Sequence, residues 1–576
     1  MQIWQPHALA ETVTVRVGGV EVAVDGGSDV TVTQVGDRAW VIDAPGATAA
    51  QWRLPCVATA AFWTPHSGTV WVPPIWNLPA TSRLTSGSPV ASLVGSGGVN
   101  VCTVALAEVH DQVSITGGVI EETGEFALTV RGRAPRLRID LSDRHFAAAL
   151  GDVAAWWEET ARPPATPRQA RLPVYSTWYG MHQEVGEEPV ETQARLAKEL
   201  GCDTIIVDDG WQTADRSRGY AFCGDWEPNP AAFPDMAAHV ARVRDLGMAY
   251  LLWYAIPFIG KDNAAFERFE GRFLRYLDHM DAAVLDPRHP EVRAFLLDRL
   301  SQAVETWGTD GLKIDFVDQF ATPGGDPAPG PGADCQEVDE GVRRLLHELD
   351  LRLRRTRPGL LVEYRQPYTS PGLWPYGNMI RATDCPLSPQ ENRQRTIDLR
   401  LISGPRAVHA DMIMWHPSEP DEQVAVHLIN ALFSVPQISV DLSAQTPGRL
   451  AVIRFWLGIF RDHLETLQLG TLRPEQPEHG YPLVRAYDEQ TMVIARYASL
   501  PVDVPAEGWT ELLVANAAPD SRVVLLGETE RHAEATVHDC RGTLLSTTGL
   551  HLPAGAQVVT VPTGGLLRLR RRTGEG

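Results

Sequence analysis

The chain of 576 residues exceeds a single ordinary domain of about 100–200 residues, which leaves room for two to four domains or a barrel of roughly 250 residues with smaller companions. Hydrophobic residues make up 44% and charged residues 21%, the proportions of an average globular protein, so disorder, collagen and coiled coil are excluded as the main architecture. The 51 Lys and Arg against 72 Asp and Glu give a net charge of −21, which repels phosphate backbones and anionic lipid; nucleic acid and membranes are excluded as partners and a small or neutral molecule is expected.

Seven cysteines, Cys56, Cys102, Cys202, Cys223, Cys335, Cys385 and Cys540, are scattered without a C-x-x-C pair. The odd count points away from a disulfide framework or structural zinc. The opening MQIWQPHALAETVTV lacks the basic and apolar blocks of a secretory signal, and no stretch approaches the ~20 apolar residues of a membrane span. A cytoplasmic protein is expected. The 17 Trp suit stacking on the apolar face of a sugar as well as core packing.

In chain order, residues 1–165 carry short alternating runs such as TVTVRVGGVEVAV and FALTVRGRAPRLRIDL between Gly and Asp turns, the pattern of an antiparallel β-sandwich. Ala161–Pro173 is rich in Pro and Arg and reads as a linker. From Leu172 the rhythm changes to apolar runs alternating with amphipathic ones: LPVYSTW, DTIIVDD, AYLLWYA, GLKIDFV, LLVEYRQ, MIRATD, AVHADM and PQISVDL. Helices are expected near Pro189–Leu200, Ala237–Leu246, Glu291–Thr306, Val338–Arg355, Asn392–Ile402 and Glu422–Phe433. Eight such strands over residues 172–465 predict a (β/α)8 TIM barrel, favoured over a doubly wound sheet. Strand patterns return over 470–576 (TMVIARYA, TELLVANA, SRVVLLG) as a smaller C-terminal β-sandwich. Ala321–Asp334, rich in Pro and Gly, reads as a mobile loop over the barrel mouth. The aromatic stretch Phe62–Trp76 reads as a lip on the site or as a plug between domains.

Reactive groups of such a barrel gather where strands end. Here the ends supply Trp178 and Tyr179, then Asp208, Asp209 and Trp211, Trp253 and Tyr254, Lys313 and Asp315, Glu363 and Arg365, Arg381 and Asp384, and finally His409 and Asp411. A lone carboxylate there is as well explained as a helix cap. Several converging on one bowl repel each other unless a ligand, a cation or Lys313, Arg365 and Arg381 offset them. H-E-x-x-H, G-x-G-x-x-G, P-loop and G-x-S-x-G motifs are missing, so zinc proteolysis, nucleotide chemistry and serine hydrolysis lack their supports. Paired carboxyls and Trp platforms suit glycoside hydrolysis, in which one carboxylate attacks and a second, its pKa raised by the charge of the first, protonates the departing oxygen. A metal-dependent hydrolase using the Asp cluster and His409 is the competitor, disfavoured because closely spaced His ligands are missing from the first strand.

These residues resemble a known family. Val207–Trp211 (VDDGW), Gly224-Asp225-Trp226 and Phe233-Pro234, then Leu285-Asp286-Pro287 with His289–Val292, Lys313-Ile314-Asp315 and Arg381-Ala382-Thr383-Asp384 resemble, in order, the motifs of glycoside hydrolase family 36, the α-galactosidases and raffinose synthases of clan D. The resemblance covers about residues 172–465. It implies Asp315 as nucleophile and Asp384 as acid/base of a retaining mechanism, with carboxyls roughly 5–5.5 Å apart. It also implies a sugar site formed by Asp208, Asp209, Trp211, Trp253, Trp178, Lys313, Glu363, Arg365, Arg381 and Asp411, with no metal or other cofactor. Strand alternation turns at most one of Asp208 and Asp209 into the pocket, whereas the resemblance favours both near the sugar.

Three segments depart from the family pattern: VEYRQPYTSP (Val362–Pro371) replaces C-x-x-G-x-G-R, Tyr254–Pro257 replaces E-P-E, and WYGMHQEV replaces W-x-x-x-Y-F-D. In the first of them Arg365 reads either a pair of hydroxyls or a substrate anion. The expectation is an exo-acting α-galactosidase on a carbohydrate substrate, with a homo-oligomer as one assembly open to it. Its rivals are a clan D enzyme for another sugar, a raffinose-synthase-like transglycosylase and a non-catalytic carbohydrate-binding protein.

Overall fold

A computed structural model describes residues 8–10, 12–65, 73, 79–107, 112–133, 136–213, 215 and 218–571. Its centre is a sheet of eight parallel strands: Val174–Ser176, Thr204–Val207, Ala249–Ala255, Gly311–Asp315, Leu361–Arg365, Met379–Arg381, Ala407–His409 and Gln437–Ile438. All eight runs read as strands from the sequence are strands here. They are legible because a parallel strand is covered on both faces and so reads as an unbroken apolar run. Gln437–Ile438 pairs with the first strand, and single bridges from His409 to Val435 and Ile413 to Ile438 close the barrel on the other side.

The register decides what meets in the interior. Trp253 lies beside Lys313, and Lys313 beside Glu363; Arg365 lies beside Arg381, and Arg381 beside His409. Neighbours in register point to the same side of a sheet, so one aromatic and several charged side chains share the upper part of the barrel.

The outer helices form where apolar residues recur at helical spacing. Glu187–Leu200 buries Val190, Ala194, Ala197 and Leu200, and ends where Gly201 adopts a left-handed φ of 108°, a conformation that glycine accepts without steric cost. Asp235 caps Met236–Asp245 by accepting from the Ala238 N–H at 3.0 Å. Pro290–Glu305, Pro389–Ile402 and Pro447–Asp462 begin with proline in the first turn, where its missing N–H costs nothing. Two places differ from the regular alternation. Between the fifth and sixth strands the chain makes only a 3-10 turn, Pro371–Tyr376, because Pro371 and Pro375 remove backbone donors an α-helix needs. After the third strand, Phe258–Gly260, Phe273–Leu277 and Ala282–Leu285 form a small antiparallel sheet.

Two six-stranded antiparallel sheets precede the barrel, and a seven-stranded with a three-stranded sheet follows it. The latter include two parallel pairs, Thr491–Arg496 with Glu511–Asn516 and Val502–Val504 with Arg522–Gly527. The segment read as wholly β before the linker ends in a helix, Phe146–Ala161, which buries Phe146, Ala149, Leu150, Val153, Ala154 and Trp157. Its spacing of three and four is plain helical periodicity, hidden by the Val- and Thr-rich composition around it. Ala321–Asp334 is irregular, as read, but it is fastened: Arg275 donates to the Ala321 carbonyl at 2.7 Å, Arg288 to that of Pro327 at 2.8 Å, and Arg293 pairs with Asp334 at 2.7 Å. All seven cysteines are free thiols, and among the described residues no helix is long and apolar enough to cross a membrane.

The three parts meet at Asp398. Its Oδ1 accepts from Trp63 Nε1 of the first sandwich at 2.8 Å and from Tyr481 OH of the C-terminal part at 2.5 Å. Phe62 and Trp63 begin the aromatic stretch read as lip or plug; Trp63 is a plug between the parts, and most of the rest, through Trp76, lies outside the described residues. Asp398→Ala removes the acceptor shared by Trp63 Nε1 and Tyr481 OH, while Trp63 Nε1 keeps its bond to Tyr481 OH at 2.8 Å, and is expected to cost about 2 kcal/mol, measured by urea unfolding; a loss below about 0.5 kcal/mol would remove Asp398 as the fastening point.

Candidate active site

Asp315 ends the fourth strand with its side chain 9% exposed. Its Oδ1 accepts from Arg365 Nε at 2.6 Å, Tyr368 OH at 3.1 Å and the Phe316 N–H at 2.7 Å, and its Oδ2 from Trp253 Nε1 at 2.9 Å. Phe316 takes a left-handed φ of 62°, which costs a residue with a side chain roughly 1–2 kcal/mol and turns its N–H back onto the carboxylate. Burial acts to raise the Asp315 carboxyl, but the Arg365 guanidinium, followed by Lys313 and Arg381, outweighs it and holds the group well below the usual carboxylate range. Asp315 is therefore an anion at any working pH.

Lys313 points into the same well, and its Nζ meets Asp208 Oδ2 at 2.5 Å with both side chains buried. Asp209 accepts from Gln183 Nε2 at 3.0 Å and the Gly210 N–H at 2.7 Å. Burial first, then the charge of Asp208, push Asp209 up to about 6. Both aspartates thus sit within reach of the Asp315 field, against the expectation that one would turn away. The second strand stops at Val207, so the alternation of a strand no longer applies to the two residues beyond it.

Asp384 stands three residues past the sixth strand with its side chain 52% exposed, the most open carboxylate of the group. Arg381 reaches its Oδ1 from Nη1 and Nη2, each at 3.0 Å. Burial favours a higher pKa, but Arg381, Arg365 and Lys313 outweigh it and hold Asp384 below the ordinary value. This reverses the expected rise from the neighbouring carboxylate, because the charges of Arg381, Arg365 and Lys313 each act on Asp384 more strongly than that of Asp315. Arg365 spans the two acids, since its Nη1 also reaches Thr383 Oγ1 at 3.4 Å.

Behind this pair lies a buried layer. Asp411 accepts from Arg381 at 2.5 Å, Tyr179 OH at 3.2 Å and the Cys385 N–H at 2.6 Å; burial, opposed by Arg381, leaves it at about 6. Glu363 accepts from Gln437 Nε2 at 2.6 Å and meets His409 Nδ1 at 2.6 Å. Both acids are 0% exposed, deeper than the sugar contact expected of them: Asp411 pairs with Arg381 and Glu363 bonds His409 and Gln437 within the barrel.

The Trp platforms are corrected too. Trp211, 0% exposed, packs among Trp226, Tyr254 and Trp307 and donates Nε1 to the Trp253 carbonyl. Trp253, at 2%, acts through its N–H on Asp315. Trp178 is the partly exposed one, edge-on to His182 with the Arg218 guanidinium 5.2 Å from its ring. Of the neutral groups that orient the acids, sequence reasoning placed Tyr179 at a strand end without giving it a role, and missed Gln183 and Tyr368. All three lie in segments that depart from the family pattern, and that departure was their signal. It missed Asp318 as well, in the turn after the fourth strand, whose Oδ1 is buried without a partner. Among the described residues no group of three or more His, Cys, Asp or Glu is arranged to hold a metal ion.

Lys313→Met strands the buried Asp208 charge and is expected to cost about 3–5 kcal/mol, most of which a second change, Asp208→Asn, recovers. Urea unfolding of the single and double variants measures it, and equal stability of Lys313→Met and wild type would mean that the pair is not a buried charge pair.

A melibiase family model matches residues 161–331, the segment that carries Asp208, Asp209, Lys313 and Asp315. α-Galactosidase 2 of Pediococcus pentosaceus is 26% identical over 204 residues, 34% of this chain and 28% of the relative; the matched stretch thus spans under a third of that protein. In overall structure the chain is similar to the α-galactosidase from Lactobacillus brevis, with a TM-score of 0.65 and 16% identity over 98% of this chain and 82% of that one. It is similar also to a family 36 α-galactosidase from Geobacillus stearothermophilus in complex with stachyose, with a TM-score of 0.66 and 16% identity over 98% and 85%. A TIM barrel with flanking β domains is common to all three structures, and within that shared fold the segment 161–331 is similar to the melibiase family.

Proposed function

We propose that the protein is a retaining, exo-acting α-glycosidase that releases terminal α-linked galactose, with Asp315 as nucleophile and Asp384 as acid/base. One observation carries this reading: a buried carboxylate held ionised, Asp315, and a half-exposed one, Asp384, share the charges of Arg365, Lys313 and Arg381, with Arg365 reaching from the first to the residue beside the second. Galactose as the sugar is supported by similarity to α-galactosidases over the segment that supplies Asp208, Asp209, Lys313 and Asp315.

In the first step Asp315 attacks the anomeric carbon while the glycosidic bond breaks and its oxygen takes a proton from Asp384. Asp315 Oδ1 is occupied by three donors and Oδ2 by Trp253 alone, so Oδ2 forms the bond to the sugar. Arg381 holds Oδ1 of Asp384, which leaves Oδ2 to carry the proton. A sugar seated against that half-exposed carboxyl removes water from it and favours its neutral form. In the second step the Asp384 carboxylate takes a proton from water, whose oxygen displaces Asp315 and restores the original configuration. Asp208 and Asp209 accept sugar hydroxyls, and Trp178 offers the exposed ring face. The reading includes a cytoplasmic enzyme that uses no metal or other cofactor.

Nitrophenyl α-D-galactopyranoside, with the α-glucoside and β-L-arabinopyranoside alongside, tests sugar and nucleophile together. Wild type is expected to turn over the α-galactoside, and Asp315→Ala to lose at least 1000-fold while unfolding at the same urea concentration. Retention of a tenth of wild-type activity would take the nucleophile role from Asp315. Asp384→Ala should be rescued by azide on the same activated substrate, and a folded variant without rescue would move the acid/base role elsewhere. Arg365→Gln removes the cation closest to Asp315, so its carboxyl rises toward the ordinary value of about 4, and kcat/KM, which Asp315 ionisation does not limit in wild type, should fall below about pH 5 in the variant. An acid limb identical to that of wild type would show that Arg365 does not hold Asp315 ionised.

A further inference from the structure

At the opposite end of the barrel from Asp315, a cleft of about 470 Å³ opens between the helix Phe146–Ala161, the turn that leads into the seventh strand and the first strand of the C-terminal part. Arg400 and Arg406 line it. Arg400 donates to the carbonyls of Phe433, Leu467 and Gln468, and Arg406 stacks 4.6 Å from the Trp374 ring with Nη1 buried and without a partner. Arg171 stands next to them and donates to the Pro405 carbonyl. Among the described residues none of the three has a carboxylate in ion-pairing range. Burial, joined for Arg400 by the like charge of Arg171, draws Arg400 and Arg406 down to about 9, so both remain cations at neutral pH.

Gln468, 5% exposed, also lines the cleft, and neither its amide oxygen nor its amide nitrogen has a partner. A buried polar group in that state calls for a ligand or an ordered solvent molecule. The facing wall is small: Ala148, Gly151 and Ala155 come from successive turns of the helix. Gly151 is helical yet has no atom within 4 Å of where a Cβ would stand, so packing inside the protein does not explain a residue that costs a helix about 1 kcal/mol relative to alanine. Glu158 is the acid on this wall, and it is exposed.

We propose that this cleft is a second ligand site, separate from the catalytic well, that takes a small molecule through a phosphate group set against Arg400, Arg406 and Gln468 with its remaining atoms on the alanine wall. Guanidinium forks without a carboxylate partner are suited to a phosphate dianion, and the cleft has room for a group of hexose size beyond it. The phosphate can come from free inorganic phosphate or from a sugar phosphate, and the two are separable.

The test is calorimetric titration of the full chain with inorganic phosphate and with glucose 6-phosphate, at constant ionic strength in chloride. Saturable binding of one equivalent is expected, weakened at least tenfold in Gln468→Glu and in Gly151→Glu and unchanged in Asp315→Ala. Glucose 6-phosphate binding at least threefold tighter than phosphate identifies a sugar phosphate, and equal affinities identify the free ion. The Gly151→Glu side chain enters open space on an exposed helix face, so that variant folds even where Gln468→Glu does not. No saturable binding of either compound to wild type, or wild-type affinity in Gly151→Glu, overturns the proposal.

Discussion

The upper half of the barrel depends on a balance of charge that water does not supply. Asp208, Asp209, Asp315, Glu363, Asp384 and Asp411 share one well with Lys313, Arg365 and Arg381, and of the six acids all but Asp384 are buried. Ionised groups at such depth persist only with partners of opposite sign. The cations are apportioned: Lys313 to Asp208, Arg365 to Asp315, and Arg381 among Asp411, Asp384 and Glu363. Among the described residues Asp209 has no cation of its own and Asp411 shares one, and these are the two acids that burial leaves at about 6. The acid with the strongest claim on a cation, Asp315, is the one held most firmly ionised.

Much of this was legible before any coordinates. The eight parallel strands read as apolar runs, and in such a barrel their ends nominate the chemistry. Depth was not legible. Sequence assigns Trp178, Trp211 and Trp253 alike to strand ends, but only the packing of Trp226, Tyr254 and Trp307 around Trp211 turns it into core. The rule of alternation failed at Asp208 and Asp209 because the strand ends one residue earlier. Neutral partners such as Tyr368 and Gln183 were invisible because a hydroxyl or an amide carries no sign of which carboxylate it will meet.

The segments that depart from the family 36 pattern do more than border the well. Arg365 and Tyr368 from one of them, and Tyr179 and Gln183 from another, donate directly to Asp315, Asp411 and Asp209. Recognition and acidity are therefore wired together. A change in the loop after the fifth strand alters the shape of the pocket and the ionisation of Asp315 at once, and specificity cannot be exchanged there while the proton chemistry stays as it was.

Asp398 joins a strand of the first flanking part and a turn of the C-terminal part to a barrel helix through Trp63 and Tyr481. A node of that kind forbids a hinge. Rotation of either β part over the barrel would break buried hydrogen bonds with no solvent to replace them, so the flanking parts cannot close over a substrate in the manner of jaws. Admission to the well falls to the side chains and loops at its rim, with Asp384 and Trp178 at the threshold.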